Sequence, residues 1–156
     1  MRAALLVLAL GLAACSSAPA APEAPPLSGT YTHDHEVGIF DGTDFAPTEV
    51  TDTMTLIERG DSLFVAVDLI GANAHLCAFR GTMGAAPSGG WVWRETLDEI
   101  YDNQTCELSL DVSPTTIRLS DRDSNCRRYY CGARAGLDGA AFERSTQTPD
   151  TTVAEY

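Results

Sequence analysis

Short stretches of alternating apolar and polar residues recur along most of the chain. Residues 62–70 place Leu63, Val65 and Val67 on one face, and residues 105–112 alternate in the same way. A period of two is typical of strands with one buried face. With turn-forming residues between the stretches, the pattern predicts strands at residues 29–35, 48–58, 62–70, 74–83, 90–95, 105–112, 115–120 and 140–144.

The spacing of these predicted strands indicates an all-β fold. No stretch keeps a helical period, although residues 134–137 have room for one turn. About eight short strands predict a small antiparallel barrel or sandwich, and the short loops between successive strands favour a meandering barrel. We expect the β-domain to span residues 27–144, and we expect residues 145–156 to form a polar, frayed C-terminal tail.

The first fifteen residues have the organisation of an export signal. Arg2 precedes an apolar stretch at residues 3–11 that is too short to span a bilayer. The motif Leu12-Ala13-Ala14-Cys15 follows, and it resembles the lipobox of bacterial lipoproteins. The resemblance implies a signal peptide at residues 1–14 and a lipidated Cys15, with acyl chains such as palmitate holding the protein to a membrane. An ordinary signal peptide cut after Ala14 is the alternative.

The residue after the cysteine adds an expectation about location. It is Ser16 rather than an aspartate, which in the lipoprotein family implies sorting to the outer membrane, facing the periplasm or the cell surface. In a host with one membrane, the same signal implies the outer face of the plasma membrane. Residues 15–26 combine the lipidated cysteine with an Ala/Pro-rich segment, which favours extended polyproline geometry and predicts a semi-rigid tether of roughly 30 Å.

Composition narrows the range of functions. The 156 residues carry a formal net charge of −12, with ten arginines and no lysine, and loss of Arg2 makes the charge −13. So acidic a chain does not displace counterions from phosphate, which excludes general nucleic-acid binding. The sequence has no nucleophile elbow, phosphate-binding glycine loop or HExxH motif, and we predict no enzymatic activity and no cofactor. A saline host or the genome composition would also produce such acidity.

Four cysteines lie in the predicted β-domain, at Cys77, Cys106, Cys126 and Cys131. An even number in an exported domain predicts two disulfides. Of the three pairings we favour Cys77–Cys106, between two predicted strands, and Cys126–Cys131, across a tight loop. A zinc site of four thiolates is a weaker alternative, because only one pair is close in sequence. A catalytic Cys77 beside His75 is a further alternative.

Two histidines near the start of the domain are weak candidates for metal ligands. His33 and His35 share one face of a predicted strand, and His75, Asp41 or Asp44 could supply a third ligand. A solvated polar segment is the favoured alternative, because two neighbouring histidines in such a segment need no function. We therefore predict no bound metal.

Aromatic and basic residues supply the candidates for a binding surface. Trp91 and Trp93 share a face of the strand predicted at residues 90–95, where they belong to the core or line a ligand pocket. Arginine and tyrosine often anchor protein interfaces, and they are dense within residues 126–139. The candidates there are Arg127, Arg128, Tyr129, Tyr130 and Arg134.

A structural role is the alternative for this Arg/Tyr-rich segment. Its glycines permit a tight turn closed by a disulfide, and its arginines can pair with neighbouring carboxylates. The segment also resembles a YCGAR-type element of small exported bacterial proteins of unassigned function, and this resemblance implies no activity.

Together these features predict an envelope-anchored, non-catalytic lipoprotein whose small β-domain binds another macromolecule. The negative charge favours a cationic protein, since it would steer such a partner toward the domain. Bacterial lysozyme inhibitors share this general plan of small exported β-barrel lipoproteins. The alternatives are a carrier of a small ligand or metal, using a barrel mouth near the tryptophans and histidines, and a hydrolytic enzyme.

Overall fold

The computed structural model describes residues 26–153 and forms one nearly closed antiparallel barrel. Eight strands lie in one sheet in chain order, so that each strand pairs with the next one along the sequence. The all-β prediction is therefore confirmed. The strands are β1 (Gly29–Phe40), β2 (Phe45–Arg59), β3 (Ser62–Gly71), β4 (His75–Ala85), β5 (Trp91–Thr96), β6 (Thr105–Val112), β7 (Thr116–Asp121) and β8 (Ala141–Glu143).

Apolar side chains fill the interior of the barrel, as the alternating pattern requires. Leu63, Val65 and Val67 of β3 are fully buried, and the same holds for Cys106, Leu108 and Leu110 of β6. The other large side chains that are fully buried come from nearly every strand. They are Tyr31, Met54, Leu56, Phe79, Met83, Ile117, Leu119, Leu137 and Phe142.

The segment after β8 completes the barrel by pairing with β1. The Thr30 N–H donates to the Thr148 carbonyl at 3.0 Å, and the Thr148 N–H donates back to the Thr30 carbonyl at 2.8 Å. The Thr146 hydroxyl also accepts from the Thr32 N–H at 3.1 Å. The expected fraying of this tail is wrong for these residues, because β1 offers free backbone groups that its threonines satisfy.

The first two strands are longer than the sequence predicts. They extend as a two-stranded ribbon to Phe40 and Phe45, whereas the pairing of β2 with β3 starts only at Thr53, opposite Asp68. The predicted bounds were too short because this ribbon lies beyond the body of the sheet, so little of it is buried and its hydrophobic pattern is weak.

Strand direction assigns every connection to one of two ends of the barrel. Consecutive strands run antiparallel, so the connections at residues 60–61, 86–90 and 113–115 share one end. Leu27 lies at that end too, where its N–H donates to Glu58 Oε2 at 2.9 Å. We call it the tether end, because the predicted tether precedes Leu27. The opposite, distal end carries the connections at residues 41–44, 72–74, 97–104 and 122–140.

The disulfides join Cys77 to Cys131 and Cys106 to Cys126, so the predicted pairing is wrong. Cys77 and Cys106 lie on β4 and β6, which are separated by β5. The segment between Cys126 and Cys131 forms a short helix, α1 (Arg127–Tyr130), and crosses the space between those strands. All four cysteines are oxidised, which leaves neither a thiolate set for zinc nor a free Cys77 nucleophile.

The helices within residues 26–153 are all single turns, and α1 lies before the position that we predicted. Residues 134–137 form no helix; Ala135 and Leu137 are instead buried against the barrel core.

Within residues 26–153, no helix has the length and apolar character needed to cross a membrane.

Candidate functional site

The helix α1 fills a gap between two strands at the distal end. β4 and β5 share only two register pairs, Gly84 with Val92 and Ala85 with Trp91, both near the tether end. Toward the distal end, Tyr130 spans the two strands. Its ring meets the Phe79 ring on β4 edge to face at 5.2 Å, and its hydroxyl donates to the Glu95 carboxylate on β5.

Both disulfides hold the same segment, residues 126–132, which we call the clamped segment. Cys126 binds it to β6 through Cys106, and Cys131 binds it to β4 through Cys77. The Gly132 N–H adds a bond of 2.8 Å to the Leu76 carbonyl. The side chains of α1 are therefore fixed relative to strands on both sides of the gap.

A buried carboxylate orients the start of the clamped segment. Asp121 is 4% exposed, and its two oxygens accept the N–H groups of Cys126 at 3.0 Å and Arg127 at 2.8 Å. Burial raises the pKa of Asp121 above its ordinary value, although these two N–H bonds oppose the shift. The residue thus acts as a backbone anchor for the clamped segment.

Four of the five Arg/Tyr candidates divide into a pair with structural contacts and a pair that points outward. Arg127 donates to the carbonyls of Ala135 at 2.7 Å and Ala133 at 2.6 Å, and Tyr130 closes the strand gap. Arg128 and Tyr129 point outward, and Tyr129 is 51% exposed. Two of the five candidates, Arg127 and Tyr130, thus make contacts that hold the fold, although Arg127 itself remains exposed.

The tryptophans belong to the barrel wall and its core. Trp91 and Trp93 both pack against the buried cluster, and the Trp93 ring meets Phe79 at 5.9 Å. Neither residue lines the cavity that holds the histidines, described below. The tryptophans and the histidines therefore do not share this cavity.

Exposed large apolar residues gather at the distal end. Within residues 26–153, all five of them lie there, in the connections or in the strand residues next to them. Ile100 is the most exposed, at 79%, and the Tyr101 ring beside it meets the Tyr129 ring at 5.4 Å. The others are Phe40, Phe45, Leu76 and Tyr129. We call this set, with Tyr101, the distal apolar surface.

Backbone strain is confined to the same end. Six non-glycine residues of the described chain have positive φ, and they form three consecutive pairs. The pairs are Asn73–Ala74, Asp102–Asn103 and Asp123–Ser124, each in a different distal connection. Left-handed conformation costs about 1–2 kcal/mol at Ala74 and Ser124 and less at the Asn and Asp residues, and strain of this kind collects at functional sites.

Replacing Ala74 by glycine should stabilise the protein. Glycine adopts the φ of 55° at this position without the steric penalty, so we expect the free energy of unfolding to rise by about 0.5–1 kcal/mol. The matched control is Ala78→Gly, at an exposed residue within β4, which should lower it by about 0.5–1 kcal/mol. Urea unfolding measures both, and a loss in the Ala74→Gly protein would contradict strain at this site.

The pKa of Tyr130 gives a second test. Burial, and next the bond to Glu95, raise the pKa of Tyr130 far above its ordinary value of 10.0. The unfolded chain therefore releases the tyrosine proton at lower pH than the folded chain does, and stability falls as the pH rises above about 10. The chain has no lysine to titrate in this range.

We expect Tyr130→Phe to be less stable than the wild type at pH 8 by about 1 kcal/mol, through loss of the Glu95 bond. The difference should shrink as the pH rises from 10 to 11.5, since phenylalanine has no proton to release. Tyr31, whose pKa burial also raises, is present in both proteins, so its effect cancels. Urea unfolding at each pH measures the difference, and a constant difference would refute the pKa shift.

The predicted histidine pair lines a cavity of about 390 Å³ at the distal end. The rings of His33 and His35 stack at 5.4 Å, and His35 Nε2 lies 3.1 Å from Asp52 Oδ2. Asp52 also accepts the Ile70 N–H at 2.7 Å. Arg134, the last Arg/Tyr candidate, also lines the cavity and is exposed.

None of the predicted third metal ligands reaches this pair. Asp41 accepts the Asp44 N–H and bonds to Thr43 within its own hairpin turn, which lowers the pKa of Asp41 to about 2. His75 lies beside Gly132 rather than in the cavity. Across residues 26–153, no group of three or more His, Cys, Asp or Glu side chains is placed to hold a metal ion.

Sequence reasoning missed most of the distal apolar surface. Ile100 stands alone among acidic residues in the sequence Asp-Glu-Ile-Tyr-Asp, outside any alternating stretch, and that isolation was the available signal. Phe40 and Phe45 gave a similar signal, because both flank a hairpin turn.

Comparisons with models of protein families, with curated proteins and with solved structures found no match to this chain.

Proposed function

We propose that this protein is an envelope-anchored, non-catalytic lipoprotein whose barrel binds a cationic protein through its distal end. The observation that carries the proposal is the placement of all five exposed large apolar residues of the described chain at that end. Apolar residues that collect on one surface are typical of interaction sites, and tyrosine is a common anchor there.

The position of the surface supports a display role. The lipobox and nearly all of the tether, residues 1–25, lie outside the described residues, and the proposal takes its membrane anchor from the lipobox resemblance. The chain then enters the domain at Leu27, at the opposite end of the barrel from the distal apolar surface. A domain tethered in this way presents its distal end away from the membrane.

Charge favours a basic partner. Exposed carboxylates adjoin the apolar residues in two distal connections: Asp41 and Asp44 between the phenylalanines, and Asp98, Glu99 and Asp102 around Ile100. With a net charge of −12 for the whole chain, association with a cationic protein should be fast at low salt and weaken as salt is added.

Crosslinking in the native host tests the proposal directly. A photoactivatable residue replaces Tyr129 or Phe45 at the distal end, or Ser88 at the tether end as the exposed control. We expect one discrete protein adduct from the distal positions and none from Ser88, with a basic partner whose binding weakens as salt increases. Equal adducts from all three positions, or a salt-insensitive partner, would refute the proposal.

A basic lysozyme, used as a purified probe, tests one class of cationic partner. Binding of a basic lysozyme to the purified, acylated full-length protein is measured at 50 and 300 mM salt. If lysozymes are the partner, binding falls with salt and with Tyr129→Ala; absent or salt-insensitive binding removes lysozymes as the partner.

The histidine-lined cavity favours a second candidate, a carrier of a small ligand. Its volume of about 390 Å³ lies in the range of small-molecule sites. Native mass spectrometry of protein purified from its own membranes, compared with the denatured mass, decides between the two. Extra mass present only in the native spectrum would favour the carrier, whereas identical masses would favour the protein partner.

A further inference from the structure

The connection at residues 97–104, which we call the Ile100 loop, is held by backbone hydrogen bonds. Its ends are joined by the Leu97 N–H, which donates to the Gln104 carbonyl at 2.9 Å. Within it, the Asp98 carbonyl accepts from Tyr101 at 3.0 Å and from Asn103 at 3.2 Å, and Glu99 accepts from Asp102 at 3.1 Å. Nearly every turn of the loop is therefore closed by a backbone bond.

The base of the loop is anchored in the barrel. Leu97 is 4% exposed and belongs to the core, and the Tyr101 ring packs edge to face on Tyr129 of the clamped segment. Ile100 lies between these anchors and remains 79% exposed. A loop held in this way loses little conformational entropy when its tip is bound.

The carboxylates of the loop have no cationic partner within the described residues. Asp98, Glu99 and Asp102 are exposed, and none of the ion pairs formed by residues 26–153 includes them. Three exposed carboxylates therefore lie within two residues of one exposed apolar side chain. A complementary site has an apolar depression ringed by lysine or arginine.

We propose that the Ile100 loop is an insertion element, with Ile100 entering an apolar pocket of a partner protein that has a basic rim. This inference rests on the proposed function and specifies which part of the distal apolar surface enters the partner. A lipid surface fits less well, because three carboxylates beside Ile100 would be repelled by anionic headgroups.

The first test compares substitutions at the tip, using the partner protein captured by crosslinking as the purified probe. Ile100→Ala should weaken binding to the full-length protein by about tenfold, since it removes most of the inserted side chain. Ile100→Asp should abolish binding, because it would bury a carboxylate in an apolar pocket. Ser88→Asp, which adds the same charge at an exposed position of the tether end, is the matched control and should change binding by less than about threefold.

The second test removes the charges of the loop. The neutralised protein should bind more weakly at low salt and show a flatter salt dependence than wild type. A control protein loses three charges at or near the tether end and should retain the wild-type salt dependence. The substitutions are Asp98→Asn, Glu99→Gln and Asp102→Asn in the loop, and Asp61→Asn, Asp111→Asn and Glu143→Gln in the control.

The outcomes separate this inference from the proposed function. Crosslinks from Tyr129 or Phe45 together with unchanged binding by Ile100→Asp would overturn the insertion element and leave the proposed function intact. Absence of any distal crosslink would overturn both. An equal effect of the two charge-neutralised proteins would show that net charge, rather than a basic rim around Ile100, governs binding. Circular dichroism confirms that each variant is folded.

Discussion

Removing the disulfide between Cys77 and Cys131 should lower the free energy of unfolding by about 4 kcal/mol. This bridge closes a loop of 54 residues, whereas the Cys106–Cys126 bridge closes 20, for which the chain-entropy model gives about 3 kcal/mol. The comparison uses Cys77→Ala/Cys131→Ala and Cys106→Ala/Cys126→Ala, each measured by urea unfolding. Alanine is preferred to serine because Cys77, Cys106 and Cys126 are fully buried.

The same proteins also test the pairing. Each double variant should retain one intact disulfide and show no free thiol in the β-domain, and peptide mapping without reductant should find the surviving pair. Recovery of a Cys77–Cys106 peptide from the wild type would contradict the structure and restore the pairing predicted from sequence. The Cys77 bridge joins the clamped segment to β4. Its removal should therefore also weaken the proposed binding of a partner at Tyr129, measured without denaturant while the variant is still folded.

The sequence predicted the barrel because its strands are patterned locally. Residues 105–112 alternate from end to end, and the structure has β6 at those residues. The period of two reports which side of a strand is buried, whatever lies opposite it. Chain order and strand order coincide in this sheet, so the preference for a meander needed no information on long-range contacts.

The pairing of the cysteines and the distal apolar surface depend on distant contacts, which local patterns do not encode. Cys131 bonds to Cys77 because α1 lies across the gap between β4 and β5, and nothing in the spacing of those strands predicts the gap. Tyr129 and Tyr130 are adjacent in sequence, yet one is exposed and the other spans two strands. The two side chains differ because successive residues of a helical turn point in different directions.

Replacing Gly71 by alanine should destabilise the protein by about 2–3 kcal/mol. A Cβ at this position would lie 2.2 Å from the Arg134 carbonyl oxygen and 2.8 Å from Ala135 Cα, both of which are backbone atoms. The backbone at Gly71 is extended, with φ of −97°, so alanine meets no torsional strain there and the contact alone decides the outcome. The clash is relieved only if residues 134–135 move, which disturbs the buried Ala135. Urea unfolding measures the loss.

Gly84→Ala is the matched control, because Gly84 lies in β4 and a Cβ there would meet no atom within 4 Å. That variant should be as stable as the wild type or more stable by up to about 1 kcal/mol, since alanine restricts the unfolded chain. The contrast between the two variants isolates the contact between β3 and the connection at residues 122–140. Equal stability of the two would mean that this connection does not lie against Gly71, and the cavity wall formed by Arg134 and Ala135 would then have to be placed elsewhere.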